Sequence, residues 1–238
     1  MLTFNPIFAD NAILQAGKAV RICGTGEGEI EVTLGSLSCS TIAKNGCWSV
    51  EFDAQNYGVV CDLTARSVDE SITARNGTFG VEFDKLENVV FGELWLASGQ
   101  SNMQFKLHEA VQDGDIYECH DIRLFSTDRL ENNDYFKACD GWVSCTKETA
   151  PNFSAIGYFL ARELHKRDGR PIGLVACYQG ASVIQSWMSE RVCRVGKIVV
   201  RCVTRPKICS RICHMAIMSL RSQWPDIRIA RRCADNFS

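Results

Sequence analysis

The sequence lacks several features that would by themselves assign it to a class of protein. No stretch approaches about 18 uninterrupted apolar residues, so no membrane-spanning helix is predicted. The first six residues show no basic segment followed by an apolar one, so no secretory signal is predicted. There is no CxxC pair, internal repeat or low-complexity tract. These absences favour a globular cytoplasmic chain with no membrane partner.

The charge is small overall but unevenly distributed. The net charge of −2 gives no general reason to expect nucleic-acid binding. Residues 1–192 carry a net charge of −10, and residues 193–238 carry +8 and contain no Glu. This basic tail would bind polyanions weakly and with strong salt dependence. No groove-reading motif accompanies it, so no specific nucleic-acid partner is predicted.

The cysteines favour free thiols. There are 13, an odd number, and five of them fall in the basic tail. Without a secretory signal, reduced thiols are the default expectation. Cys209, Cys213 and His214 have a spacing that only faintly suggests metal ligands, so we predict no metal and no other cofactor.

Residues 1–85 are predicted to form an N-terminal β module. Short apolar or alternating runs separated by Gly and Asn-Gly turns are typical of a sandwich-like or barrel-like sheet. We predict strands at the following segments: Ala19–Cys23, Glu29–Leu34, Cys47–Phe52 and Val59–Ala65. In the third of these, Trp48, Val50 and Phe52 alternate with polar residues, as in a half-buried strand.

Residues 86–192 are predicted to form an α/β domain with a parallel sheet. The nearly continuous apolar runs 89–97 and 172–177 fit strands buried on both faces. Between them, residues 151–166 predict a helix capped by Asn152 and ended by Gly169 and Pro171. Its apolar face is predicted to contain Phe153, Ile156, Gly157, Leu160 and Leu164. A further helix is predicted to open at Val183–Met188, and residues 193–238 form an atypical tail.

Small polar residues follow both buried strands of the predicted α/β domain. Gly99–Met103 follows the first strand and Gln179–Ser182 follows the second. Ligands bind at the carboxyl ends of strands in open α/β sheets, so we expect Ser101 and Gly180 at one rim if the strands are neighbours. An exposed serine at such an edge is placed to act as a nucleophile, with nearby backbone N–H groups stabilising an oxyanion. On spacing alone, capping of the following helix is the favoured role for Ser101.

The segment Phe91–Met103 closely resembles the nucleophile block of the sialate O-acetylesterases, within the SGNH (GDSL-like) hydrolases. Acetylxylan esterases are among the similar sequences. Further blocks of that family have counterparts here, in the same order, at Asp10–Gln15, Phe153–Leu164, Pro171–Val175, Gln179–Ser182 and Ser186–Met188. The resemblance covers about residues 5–190. It implies an incomplete flavodoxin-like parallel sheet preceded by the β module.

The resemblance also implies an activity. Ser101 matches the nucleophile, and the backbone N–H groups of Ser101 and Gly180 match two oxyanion-hole donors. The implied substrate is an O-acetylated sialic acid or another acetylated sugar. Where the family commonly has Trp-Gly-Gly, this chain has Tyr178-Gln179-Gly180. Family members are often secreted, periplasmic or lysosomal, in contrast to the compartment favoured by the N-terminus. The sequence does not indicate an oligomeric state.

The general base that this chemistry requires is not found in the sequence. The family places it in a C-terminal Asp-x-x-His block and adds a third oxyanion donor from a Gln-Gly-Glu block, and neither occurs here. The four histidines are His108, His120, His165 and His214. An ordinary surface or core position explains each of them more simply than a role as the general base does. His165 is predicted to be solvated.

The resemblance stops where the composition changes, which leads to two hypotheses. The first hypothesis is that residues from about 193 on are translated out of the family's reading frame or come from an altered gene end. The second is that they form a natural, divergent tail. The chain is therefore either a serine carbohydrate esterase or an inactive truncated relative with at most a carbohydrate-binding surface. A sheet lacking its later strands would expose apolar area, so we also expect low solubility or partial unfolding.

Overall fold

The computed structural model describes residues 1–68, 83–110, 116–127 and 141–182, and the backbone of 228–230. Contacts divide the chain into two compact units, Met1–Glu93 and Leu94–Ser238. The predicted helix at Val183–Met188 lies outside the described residues. The predicted division at residues 85 and 192 stays a prediction. No helix within the described ranges has the length and apolar composition needed to cross a bilayer.

The first unit consists of short strands in two sheets. Antiparallel strands β1 (Thr3–Phe4), β3 (Val20–Thr25) and β6 (Cys47–Phe52) form one sheet. In the other sheet, β4 (Glu29–Leu34) pairs with β5 (Leu37–Ile42) and β7 (Val60–Ser67), which pairs with the first part of β8 (Phe83–Gly99). Strand β2 (Ile13–Gln15) runs parallel to β8.

Alternating side chains explain why these segments are strands. In β6 the side chains of Trp48, Val50 and Phe52 are buried and those between them are exposed, as the pattern predicted. The Trp48 indole N–H donates to the Thr25 carbonyl, 2.9 Å away, so the buried ring keeps a hydrogen bond. Strand β5 was not predicted, because its residues are mostly exposed and small and give no apolar alternation.

The second unit contains the parallel strands. After β8 come two four-residue helices, α1 (Ser101–Gln104) and α2 (Leu107–Ala110), and strands β9 (Cys119–Ser126) and β10 (Trp142–Cys145). A 3₁₀ turn at Ala150–Asn152 leads to helix α3 (Ala155–Asp168) and strand β11 (Ile172–Tyr178). Strand β9 pairs in parallel with β11 and antiparallel with β10, and β11 neighbours β8. Strand β12 (Arg228–Ala230) runs parallel to β8.

This architecture confirms the predicted fold class, a parallel α/β sheet with a preceding β module. Residues 172–177 are all buried, as expected for a strand covered on both faces. The core of the second unit is built from apolar side chains of β9, β11 and α3, including Ile122, Leu124, Tyr158, Ala161 and Leu174.

Helix α3 differs from the prediction in its start and in its buried face. Ser154, not Asn152, is the N-cap, and its hydroxyl accepts the Gly157 N–H at 3.2 Å. The buried helical residues are Ala155, Gly157, Tyr158 and Ala161, whereas Ile156 is exposed. The start was misplaced because residues 150–152 form a 3₁₀ turn. The predicted end is correct, since Gly169 adopts φ +64° at the C-cap.

Candidate active site

Ser101 lies at the carboxyl end of β8, as the first residue of helix α1. The chain turns there through Gly99, whose φ of +154° is a conformation that side-chain-bearing residues rarely adopt. The side chain of Ser101 is exposed. A hydroxyl held on the first turn after a buried strand is presented to solvent from a fixed backbone.

The alternative that Ser101 caps the helix is wrong. Gln100 is the N-cap residue, and its side chain makes no capping hydrogen bond. The Ser101 Oγ accepts instead from the Ala181 N–H, at 3.3 Å. Its hydroxyl therefore faces the loop after β11 and does not close its own helix.

The loop after β11 lies beside the loop after β8, as the shared-rim prediction required. The Gln179 N–H donates to the Gly99 carbonyl at 3.0 Å, which joins the carboxyl ends of the two strands. A Cβ added to Gly180 would lie 3.6 Å from the Ser101 Oγ. The structure therefore brings Ser101 and Gly180 together. Their catalytic roles stay predictions.

One predicted oxyanion donor is already bonded within the protein. The Gly180 N–H donates to the Gln104 Oε1 at 2.6 Å, and a Cβ at residue 180 would lie 2.5 Å from the same oxygen. This carboxamide oxygen occupies an acceptor position next to the Ser101 hydroxyl. It stands where the carbonyl oxygen of a bound ester would have to accept the same N–H.

Neighbouring segments hold the Ser101 loop in place. The Leu107 N–H donates to the Phe153 carbonyl at 3.0 Å, and the Ala155 N–H donates to the Phe105 carbonyl at 2.9 Å. Met103 is buried, with its sulfur 3.5 Å from the Ser154 hydroxyl. The α1 segment is thereby tied to the start of α3, and its position is fixed by the core of the unit.

The end of β11 and the loop after it contain two unusual residues. Ala181 has φ +58°, a left-handed conformation that costs a residue with a Cβ about 1–2 kcal/mol. Such conformations concentrate at functional sites. Tyr178 stands where the resembled family commonly has tryptophan, and burial raises the pKa of its phenol.

The histidines of the described ranges do not supply a base to Ser101 by hydrogen bonding. The exposed His108 ring bonds the Pro151 carbonyl through Nδ1, at 2.8 Å. His165 was predicted to be solvated, and this is wrong: its side chain is 13% exposed and its Nδ1 lies 3.1 Å from the Tyr117 hydroxyl. The ring is enclosed because α3 packs on β9. His214 lies outside the described residues.

Comparison with solved structures supports the fold. The chain is similar to the crystal structure of a carbohydrate acetylesterase from Xanthomonas citri, with a TM-score of 0.68 and 24% identity. The similarity covers 88% of this chain and 47% of that one. At this identity the likeness establishes the fold. The chain matches no protein-family model.

Sequence comparison shows similarity to the sialate O-acetylesterases. The chain is 32% identical over 122 residues to the sialate O-acetylesterase of Rattus norvegicus, covering 45% of this chain and 22% of that protein. It is 28% identical over 167 residues to the Homo sapiens sialate O-acetylesterase, covering 64% and 30%. The predicted resemblance is thus confirmed: the chain is a relative of the sialate O-acetylesterases. It spans less than a third of the length of these curated relatives.

Proposed function

We propose that this protein is a serine esterase that hydrolyses O-acetyl esters of sugars, with sialic acids as the first candidates. The observation that carries the proposal is the placement of the exposed Ser101 hydroxyl against the Ala181 N–H, with Gly180 beside it. The names of the sequence relatives support an acetyl ester as the substrate.

The proposed reaction proceeds in two stages. The Ser101 Oγ attacks the acetyl carbonyl carbon while its proton passes to a general base, and the sugar hydroxyl leaves with a proton. Water then releases acetate from the acetyl-serine. The N–H groups of Ser101 and Gly180 stabilise the oxyanion of each tetrahedral intermediate, and one such donor is typically worth about 2.7–4 kcal/mol.

Binding of the ester oxygen requires Gln104 to move. Its Oε1 holds the Gly180 N–H in the present arrangement. Because Gln104 is long and flexible, a change of its side-chain torsions alone frees this donor. The carbonyl oxygen of the acetyl group then replaces the carboxamide oxygen as the acceptor.

A second candidate function is that of an inactive relative which binds acetylated sugars without hydrolysing them. Two observations favour it. The sequence has no Asp-x-x-His block, and no histidine in the described ranges is hydrogen-bonded to Ser101. A serine without a base is a weak nucleophile at neutral pH.

Hydrolysis of 4-nitrophenyl acetate and of O-acetylated sialic acid by the full chain distinguishes the two functions. For an esterase, Ser101→Ala should lower kcat by about 10³-fold or more, since removal of a serine nucleophile has effects of this order. Ser38→Ala is the matched control, because Ser38 is an exposed serine in the first unit.

A fluorophosphonate probe gives a second measurement. It should label Ser101 in the wild-type chain only if a base activates the hydroxyl. Turnover or labelling that is unchanged in Ser101→Ala would contradict the proposed nucleophile. No turnover by the wild-type chain, together with binding of the acetylated sugar, would establish the second candidate.

A further inference from the structure

A cluster of three metal-ligand side chains lies at the other end of the parallel strands from Ser101. The Cys119 Sγ, an Asp121 carboxylate oxygen and a His165 ring nitrogen all lie within 4.8 Å of one another. Cys119 and Asp121 come from the start of β9, and His165 comes from the last turns of α3. None of these residues takes part in the site built around Ser101.

We propose that Cys119, Asp121 and His165 form a binding site for a zinc ion. The thiolate, carboxylate and imidazole are the three ligand types that zinc uses in proteins, and together they provide two negative charges for a dication. A water molecule completes the tetrahedron, since the Asp121 side chain is 58% exposed. The site does not depend on the esterase proposal.

The spacing of the ligand atoms fits a tetrahedral ion. Sulfur and nitrogen ligands at zinc bond lengths of ~2.3 and ~2.0–2.1 Å lie about 3.6 Å apart across a tetrahedral angle. The Cys119 Sγ is 3.5 Å from the His165 Nε2. The same nitrogen is 3.8 Å from the Asp121 Oδ2. The three ligand atoms lie within 4.8 Å of one another, so the exposed Asp121 carboxylate has to move inward to close on one ion.

The strand geometry explains why two ligands come from one element. Residues two apart on a strand point to the same face, which places Cys119 and Asp121 side by side. Cys145 on β10 is paired in register with Cys119, but its thiol donates to the Tyr117 carbonyl oxygen, 3.6 Å away. The Cys119 thiol is therefore the one that faces the imidazole.

The His165 ring has a hydrogen-bond partner at one of its two nitrogens. Its Nδ1 lies 3.1 Å from the Tyr117 hydroxyl. With Nδ1–H as the donor, Nε2 is the nitrogen left to bind an ion. The Cys119 Sγ is 3.5 Å from Nε2 and 3.7 Å from Nδ1, so the ring has to rotate to direct the Nε2 lone pair at an ion between Cys119 and Asp121. A fixed partner on the second nitrogen is the usual companion of a histidine ligand. The Tyr117 backbone is held in turn, since its N–H donates to the Tyr158 hydroxyl at 2.7 Å.

No sequence motif marks this site, because its ligands are far apart in the chain. Cys119 and His165 are 46 residues apart. The prediction of no metal relied on local spacing, in which only Cys209, Cys213 and His214 drew attention. The cluster forms because α3 packs on β9, which no short motif encodes.

Zinc retention by the full reduced chain tests the proposal. After loading with Zn²⁺ alone and gel filtration, the wild-type chain should retain about one zinc per chain in this site. Cys119→Ser and His165→Gln should each lose that zinc. His120→Gln removes an exposed neighbouring histidine and should keep it, and the double variant Cys209→Ser/Cys213→Ser should also keep it.

Co²⁺ binding separates loss of a ligand from loss of folding. The wild-type chain should show a thiolate-to-cobalt charge-transfer band. Cys119→His still offers a ligand and should bind cobalt without that band. Tyr117→Phe should retain the band but weaken binding about 10–100-fold, as expected for loss of a ligand-orienting partner. Ser101→Ala should bind zinc normally, so failure of the esterase proposal does not affect this result.

Three outcomes would overturn the site. The first is a wild-type chain that retains no zinc. The second is a Cys119→Ser variant that keeps the ion, and the third is a loss confined to the Cys209→Ser/Cys213→Ser variant. Circular dichroism of each variant shows whether loss of the ion is due to unfolding. If a variant is unfolded, the cobalt spectrum of Cys119→His decides whether Cys119 is a ligand.

Discussion

At the scale of single residues, the candidate active site depends on which acceptor is hydrogen-bonded to the Gly180 N–H. The Gly180 N–H is hydrogen-bonded to the Gln104 Oε1 at 2.6 Å, beside the Ser101 hydroxyl. The side chain thus satisfies a half-buried donor when no ester is present. If the Gly180 N–H is an oxyanion donor, as proposed, the same contact competes with substrate, because an N–H directed at the Gln104 oxygen is not available to an oxyanion.

Replacing Gln104 by methionine tests this competition. Gln104→Met keeps the size of the side chain but removes its acceptor. We expect the free energy of unfolding to fall by about 0.5–1.5 kcal/mol, the usual net worth of a hydrogen bond. Acetyl ester hydrolysis should be maintained or increased, because the Gly180 N–H is released. Urea unfolding and kcat/KM measure the two effects, and a loss of activity as large as that of Ser101→Ala would show that Gln104 assists the reaction.

At the scale of elements, helix α3 connects the two proposed sites. Its first turn is hydrogen-bonded to the segment that follows Ser101, and its last turns carry His165. Small residues on its buried face, Ala155, Gly157 and Ala161, allow a close approach to the sheet. Any change that loosens the helix start is therefore expected to reach the Ser101 loop.

The N-cap of α3 offers a direct test with a matched control. Ser154→Ala removes the acceptor for the Gly157 N–H and should lower the free energy of unfolding by about 1 kcal/mol, within a usual range of 0.5–2 kcal/mol. Asn152→Ala removes the residue that the sequence pattern favoured as the cap. Asn152 is exposed in the 3₁₀ turn, so its loss should change stability by less than about 0.5 kcal/mol. Equal effects in urea unfolding would contradict the assigned cap.

The elements show which parts of the fold can be predicted from sequence. Strands at Glu29–Leu34 and Cys47–Phe52 were predicted with their observed bounds, because a half-buried strand imposes an alternating pattern. The buried face of α3 was partly misplaced, because the alanines at positions 155 and 161 carry little hydrophobic signal. Ser101 and Gly180 were found through motifs, whereas the contacts of Gln104 and His165 depend on tertiary packing and have no local signature.

At the scale of the whole molecule, the buried thiols affect how stability depends on pH. The described cysteines are free thiols, and Cys145 and Cys177 are buried. Burial raises the pKa of the Cys177 thiol to about 12, and the pKa of the Cys145 thiol to about 12. Removing water from a thiolate disfavours the charged form, so these thiols stay neutral in the folded chain far into the alkaline range.

The raised thiol pKa values predict a loss of stability at alkaline pH. Above about pH 8.5 an exposed thiol in the unfolded chain releases its proton, whereas Cys177 in the folded chain keeps it up to about pH 12. The folded state then binds more protons than the unfolded state, so the free energy of unfolding falls as pH rises. The contribution of Cys177 to the free energy of unfolding is complete below about pH 8.5. As the pH rises above this value, it should be lost with a slope of up to about 1.4 kcal/mol per pH unit.

Urea unfolding between about pH 8 and pH 11 measures this slope. Cys177→Ala should reduce the slope of the free energy of unfolding against pH relative to the wild-type chain. The part of this slope that Cys145 contributes should remain. Cys47→Ala is the matched control, because the Cys47 side chain already lies in solvent in the folded chain, and its slope should equal that of the wild type. An alkaline slope that is the same in all three proteins would mean that the Cys177 thiol is not sealed from water. That result would place an opening near the carboxyl end of β11, the strand that leads to Gly180.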